Sequence, residues 1–220
     1  MTEKLQPDEE IRIRAVDPGY LPHAAPVLAE SFREEAFNRT LMDLSTLERQ
    51  QQHARLTQLL LLIRHYRGAQ FYAATQGGKV AGVAIVKPAG ARMTVPWYRL
   101  LTVIARLVPR ILLMLGAVRW RRVLRVGPAI KAPRTLVEPY CTLEILGVAP
   151  SFQGRGIGRK LVEHVHAQCD RSTGSTGVYL YTGDEVNTQI YARLGYEVIE
   201  VKQGGPLTVW HMFRARGTSS

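Results

Sequence analysis

The sequence predicts an α/β (α+β) protein in which helices flank one largely single sheet. Three observations predict it. Short apolar or alternating runs, such as Ile11–Val16 and Tyr140–Val148, interleave with a segment of helical period, Gly154–Asp170. Turn signals separate them, among them Asp17-Pro18-Gly19, Gly77-Gly78 and Gly195. The length of 220 residues, with 46% hydrophobic and 21% charged residues, is enough to bury a real core. That composition argues against disorder, a collagen-like fibre or a disulfide mini-protein.

Each element follows from its local pattern. Ile11–Val16 (IRIRAV) alternates apolar and charged residues, as a half-buried strand does. Tyr20–Phe37 reads as a helix with an apolar stripe at Leu21, Ala25, Leu28 and Phe32. Ser45–Tyr66 reads as a second helix, with Ser45 as N-cap and Glu48 completing a capping box. Gln70–Thr75 and Val80–Lys87 flank Gly77-Gly78, a hairpin signature. Residues 91–135 read as an insertion of one or two helices, punctuated by Pro109, Gly116, Gly127 and Pro128. Strands are then expected at Tyr140–Val148, Val178–Thr182, Tyr196–Lys202 and Leu207–Phe213, with helices at Gly154–Asp170 and Val186–Leu194.

The formal net charge is +11, and it is unevenly spread. From Arg49 through Val137 there are 16 Lys and Arg and no Asp or Glu. Such a block suits an anionic partner or a solvated basic surface. The start, MTEKLQPDEEIRIR, has no apolar signal-peptide core. The longest charge-free apolar runs, Leu59–Ile63 and Ile111–Val118, fall short of the ~20 residues of a spanning helix. Cys141 and Cys169 lack CxxC spacing, which suits free thiols in a reducing cytoplasm. The six histidines form no ligand pair, so no metal site is expected. No nucleic-acid motif accompanies the basic block, and no nucleic-acid partner is expected.

The segment that carries chemistry is LEILGVAPSFQGRGIGRKLVEHV, Leu143–Val165. A strand runs into the turn Gln153–Gly158, which opens a helix. Glycines let backbone approach a phosphate closely, and the unpaired N–H groups of the first helical turn aim at it. Arg155, Arg159 and Lys160 add positive charge. The P-loop pattern is absent, because no Lys-Ser/Thr follows the second glycine. The Rossmann spacing GxGxxG is absent too, since Gly154, Gly156 and Gly158 are spaced GxGxG.

The segment resembles motif A of the GCN5-related N-acetyltransferases (GNAT), [QR]xxGx[GA], filled here by Gln153, Gly156 and Gly158 after Val148-Ala149-Pro150. A second stretch, VYLYTGDEVNTQIYARLGYEVI, matches the family's later motif through Asn187, Tyr191 and Gly195-Tyr196. Asn187 and Tyr191 are spaced i and i+4, so a helix turns both toward one ligand. The two motifs span about residues 139–201. The spacing YTGDEVNTQIYARLGY, the closing TVWHMFR and the insertion resemble the branch that includes puromycin N-acetyltransferase.

The resemblance implies a GNAT domain over 1–220, with a mixed, mostly antiparallel sheet splayed at the motif A strand. It implies acetyl-CoA as cofactor and direct transfer of the acetyl group to an amine, with neither cysteine at a nucleophile position. Main-chain groups of Ile145, Leu146, Gly147 and Val148 would pair with the pantetheine arm. Gln153 and the backbone of Gly154, Arg155, Gly156, Ile157, Gly158 and Arg159 would hold the pyrophosphate, with Lys160 beside them, and Asn187 would reach the pantetheine amides. Tyr191 occupies the family's acid position, where a phenol of pKa ~10 can protonate a thiolate. Glu144 is the candidate base, read equally well as a salt-bridged strand residue. Glu138 and His211 are weaker alternatives for that role. Phe32, Phe37, Trp97 and Tyr98 are candidates for the acceptor site.

The expected acceptor is a small-molecule amine. A protein or membrane-associated amine is the alternative, and a non-catalytic acyl-CoA sensor is a rival of another class. In Pro96–Arg125, Arg99, Arg106, Arg110 and Arg121 fall near one meridian of a helical wheel, Leu, Val and Ile fill most of the rest, and Pro109 argues against a single straight helix. Trp and Arg on such a helix suit peripheral membrane contact or a lid over an acceptor site. A homodimer stays open as a further partner.

Overall fold

The computed structural model describes residues 10–20, 27–28, 30–32, 35–96, 98, 101–102, 105, 108, 118–172 and 174–217. Its centre is a seven-stranded sheet: β1 (Arg12–Val16), β2 (Gln70–Gln76), β3 (Lys79–Lys87), β4 (Cys141–Val148), β5 (Gly177–Thr182), β6 (Glu197–Gly204) and β7 (Leu207–Ala215). The strand order is β1-β2-β3-β4-β5-β7-β6. Neighbours run antiparallel except β4 and β5, which are parallel and pair only through Cys141–Val178 and Thr142–Tyr179. Beyond those two rungs the strands part. From Leu143 to Val148, β4 is paired with β3 on one side and open on the other.

Five helices accompany the sheet among the described residues: α1 (Ala36–Leu41), α2 (Leu47–Tyr66), α3 (Trp120–Val126), α4 (Ile157–Arg171) and α5 (Glu185–Ala192). Helix α4 follows from its period. Ile157, Leu161, Val165 and Cys169 recur every four residues and are buried, while Arg159, Lys160 and Glu163 face solvent. That stripe packs with Ala84, Leu143, Val178, Leu180 and Met212 into the largest core cluster. On the other face, Leu28 and Leu61 cover Phe71, Val83 and Ile85. A third cluster joins Val126 and Ala129 to Leu207 and Val209. Both cysteines are buried and unbridged.

Two expected helices are corrected. The one expected over Tyr20–Phe37 does not run through. Residues 21–26, 29 and 33–34 lie outside the described residues, Leu28 and Ser31 are helical, Phe32 lies in a turn, and a separate helix starts at Ala36. Glu35 makes the break. Its backbone is extended, and its carboxylate accepts from the N–H groups of Phe37 and Asn38 as the N-cap of α1. The Asn38 amide donates to Phe32 O at 2.7 Å and holds the turn. At α2 the N-cap is Thr46, whose hydroxyl accepts from Arg49 N, and not Ser45. Ser45 N instead donates to Asp43, which organises the preceding turn.

In the insertion, α3 is the one named helix among the described residues. Arg119 and Arg122 reach from it to the carbonyls of Arg39 and Thr40, so two guanidinium groups cap the C-terminal end of α1. Trp97, Arg99, Arg106 and Arg110 lie outside the described residues. Among the described residues no helix is long and apolar enough to cross a membrane.

Candidate active site

The parting of β4 from β5 opens two cavities that share a wall. The first, about 350 Å³, lies toward α1 and α2 and is walled by Phe32, Glu35, Phe37 and Leu56 with Ile145 of β4 and Tyr181 of β5. The second, about 550 Å³, lies toward the start of α4, between Val148, Gln153, Gly158 and Arg159 on one side and Ile190 and Arg193 on the other. Leu146, Asn187 and Tyr191 line both cavities. A ligand threaded through the gap would therefore pass these three side chains.

The loop before α4 has the form an anion needs. Gly154 and Gly156 adopt φ of +76° and +77°, a region that L side chains rarely enter. Nothing lies within 4 Å of where their Cβ atoms would be, so the space above the loop is open. Gly156 is the N-cap of α4 and offers no side-chain cap, which leaves the first N–H groups of a 15-residue helix to an outside acceptor. Gln153 donates to Val148 O at 3.3 Å and ties the loop to the end of β4. Arg155 stacks on Phe152 and is exposed, as is Lys160. Ile157 points into the core, and Gly147 faces Leu28 and Ser31, so both meet the gap only through backbone.

Tyr191 projects from α5 with its ring edge-on to Tyr196 at 5.6 Å. Burial, then the Glu35 carboxylate, pushes its phenol up to about 12. It therefore keeps its proton across the neutral range. Asn187, one turn earlier, donates weakly to Thr182 Oγ1 at 3.5 Å.

Glu144 lies in the first cavity, with Oε2 3.1 Å from Arg64 Nε of α2. The contact is ionic and off the N–H direction, and Oε2 is otherwise buried without a donor. The salt-bridge reading of Glu144 thus has a partner. His211 is fully buried on β7, with Nδ1 2.7 Å from Tyr179 OH and Nε2 2.8 Å from Ala129 O. Burial pushes its imidazole down, so it is a neutral core residue with both nitrogens engaged. Phe32 and Phe37 line the first cavity. Tyr98 is exposed and is not among the residues that wall it.

The sequence reading missed Glu35. The residue lies in the first cavity, and burial raises its carboxyl to about 7 against the opposing pull of the Asn38 and Phe37 N–H groups, with Asp184 adding to the rise. Only Oε2 is used as the helix cap. Oε1 has no donor among the described residues. No local signal marked it, since Glu is not among the usual N-cap residues Ser, Thr, Asp and Asn.

Comparison with a family profile and with solved structures bears on the fold. Residues 121–198 match the profile of the acetyltransferase (GNAT) domain. A histone acetyltransferase HPA2 and related acetyltransferase from Corynebacterium glutamicum superposes with a TM-score of 0.67 at 16% identity, over 96% of this chain and 98% of that one. The fold is the GNAT acetyltransferase fold. PaiA N-acetyltransferase from Thermoplasma acidophilum, solved with coenzyme A, gives 0.58 at 14% identity over 94% of this chain and 99% of that one. The ribosomal-protein-S18-alanine N-acetyltransferase of Escherichia coli gives 0.54 at 14% identity, over 96% of this chain and 97% of that one. No curated relative matches by sequence. The GNAT match runs from α3 to the first two residues of β6, so it contains the glycine loop, Asn187 and Tyr191, whereas Glu35 and Arg64 lie outside it.

Proposed function

We propose that residues 1–220 form one acetyl-CoA-dependent N-acetyltransferase domain that acetylates a small-molecule amine. By motif spacing we read it as a member of the puromycin N-acetyltransferase-like branch. The observation that carries the activity is the meeting of the two cavities at Leu146, Asn187 and Tyr191, in the gap between β4 and β5. The residues fit the cofactor. The open edge of Ile145–Val148 suits an extended amide-bearing arm, and the uncapped start of α4 with Arg159 suits a pyrophosphate.

Acetyl-CoA supplies an acetyl group activated as a thioester. The protein's own groups divide the proton work. In the first cavity Glu35, poised near neutrality, takes the proton of the incoming ammonium, so that the nitrogen attacks with its lone pair. Tyr191 holds its proton for the sulfur as the C–S bond breaks. Glu144 keeps Arg64 in place and closes the cavity wall.

Gly158 allows a clean test of the cofactor site. A Cβ there would meet only Val148 Cγ2 at 3.6 Å, an ordinary contact, and a carboxylate in the first turn of α4 favours the helix. Gly158→Asp will therefore fold normally. It will weaken acetyl-CoA binding by about tenfold or more in a calorimetric titration, because like charges meet at the pyrophosphate. Equal binding by the variant, or none by the wild type, would refute the site.

Peripheral membrane contact is a second reading, favoured by one observation. On α3, Trp120 and Leu124 are 48% and 76% exposed, beside exposed Arg121, Arg122 and Arg125. We expect the protein to sediment with phosphatidylserine vesicles at low salt and to release at high salt. A Trp120→Ala, Leu124→Ala double variant will stay in the supernatant. Equal sedimentation of variant and wild type would exclude α3 as the contact.

A further inference from the structure

The acceptor class follows from the charges and surfaces of the first cavity, and this inference rests on the acetyl-transfer reading above. Two of its walls hold carboxylates. Glu144 is already matched by Arg64. Glu35 spends Oε2 on the N–H groups of α1 and leaves Oε1 without a donor among the described residues. Among the described residues the cavity thus offers one carboxylate oxygen without a hydrogen-bond donor, to meet one cationic donor. Around it the wall away from β4 is mostly apolar, with Phe32, Leu41, Met42, Leu56, Leu60 and Ile130, and its polar members Asn38 and Thr57 donate to the carbonyls of Phe32 and His53. His53, also in the lining, is buried, and burial pushes its imidazole down, so it brings no positive charge at neutral pH. The volume of about 350 Å³ is that of a small-molecule pocket.

We infer that the acceptor is a monoamine with an apolar body, an alkyl or arylalkyl amine. Its ammonium pairs with Glu35 Oε1, and its hydrocarbon lies against Leu41, Leu56 and Leu60. A polyamine would set a second ammonium against those leucines with no carboxylate to meet it, a buried unpaired charge. A hydroxyl-rich amino sugar would meet mostly leucines on the same wall, with Asn38, His53 and Thr57 too few for its several hydroxyls. The acid-free block Arg49–Val137 contains α3 and all of α2 beyond Glu48, so the net field of this part of the chain also disfavours a multivalent cation.

The test is calorimetric titration of the full chain at pH 8 with butylamine, hexylamine, phenethylamine, spermidine and glucosamine. Affinity for the alkylamines is expected to rise by about fourfold per added methylene until the cavity is full. Phenethylamine will bind, and spermidine and glucosamine will bind at least about tenfold more weakly. Glu35→Gln will weaken hexylamine by about tenfold or more. Leu60→Lys, on the exposed side of the wall, will do the same while leaving acetyl-CoA binding intact. Tighter binding of spermidine or glucosamine, or hexylamine affinity unmoved by Glu35→Gln, would overturn the inference. If hexylamine binds as stated yet no thiol is released from acetyl-CoA, the acetyl-transfer reading falls and the amine site stands. If a polar amine alone supports thiol release, the enzyme reading stands and this inference falls.

Discussion

Glu35→Gln will lower kcat/KM for amine acetylation by about 10²–10⁴-fold, the ordinary worth of a positioned general base. The wild-type rate will rise with pH through about 7, where Glu35 loses its proton, and the variant will lack that limb. Stability will move the other way. The carboxyl titrates near 4.5 in the unfolded chain and near 7 in the fold, so folding favours its protonated form. That contribution is fully present below 4.5 and is lost as pH rises through 7. At pH 8 the fold therefore bears a cost on the order of 3 kcal/mol to keep Glu35 ionised. Gln removes the charge and keeps an oxygen for the Phe37 and Asn38 N–H groups. The variant will melt higher than wild type at pH 8 and about equally at pH 4. An active variant with an unchanged pH limb would return the base role to Glu144.

Tyr191→Phe is expected to cut kcat by about 10²–10⁴-fold with acetyl-CoA affinity held within a few-fold. The ring keeps its edge contact with Tyr196, so the loss is confined to one hydroxyl. Because burial holds the phenol near 12, no alkaline limb from this group will appear below about pH 10 in the wild type. The measurements are single-turnover thiol release and a calorimetric titration on the same preparation. A variant that binds acetyl-CoA normally and turns over at the wild-type rate would remove Tyr191 from the chemistry. If neither protein releases thiol with any amine while both bind acetyl-CoA, the acyl-CoA sensor becomes the better reading.

The two halves of the site differ in how far the sequence announces them. The glycine loop and the Asn187–Tyr191 pair are legible because their chemistry is local. A left-handed turn needs glycine where it stands, and two side chains four apart share a helix face wherever the helix goes. The strands of the C-terminal half were readable for the same reason, to within one or two residues. The acceptor half is different. Arg64 and Glu144 are 80 positions apart and meet only because α2 lies over β4. Glu35 owes its raised pKa to burial and to Asp184, neither of which leaves a mark in its own neighbourhood of sequence. Phe37 was readable as a cavity residue, yet from a helix that in fact stops before it and begins again. Ser45 lost the N-cap of α2 to Thr46 because Asp43 had already engaged its backbone. In each case a contact made by tertiary packing outweighed a local preference.

The two-rung join between β4 and β5 has a consequence for stability. The sheet is joined across its middle by only two parallel rungs, and α4 packs on both sides of that join, so a cleft occupant adds a further tie between β4 and β5. On the proposed function that occupant is acetyl-CoA. Anything that binds the folded chain and not the unfolded one stabilises it in proportion to the logarithm of its concentration. On the proposed function the melting temperature will therefore rise with acetyl-CoA concentration in a thermal scan.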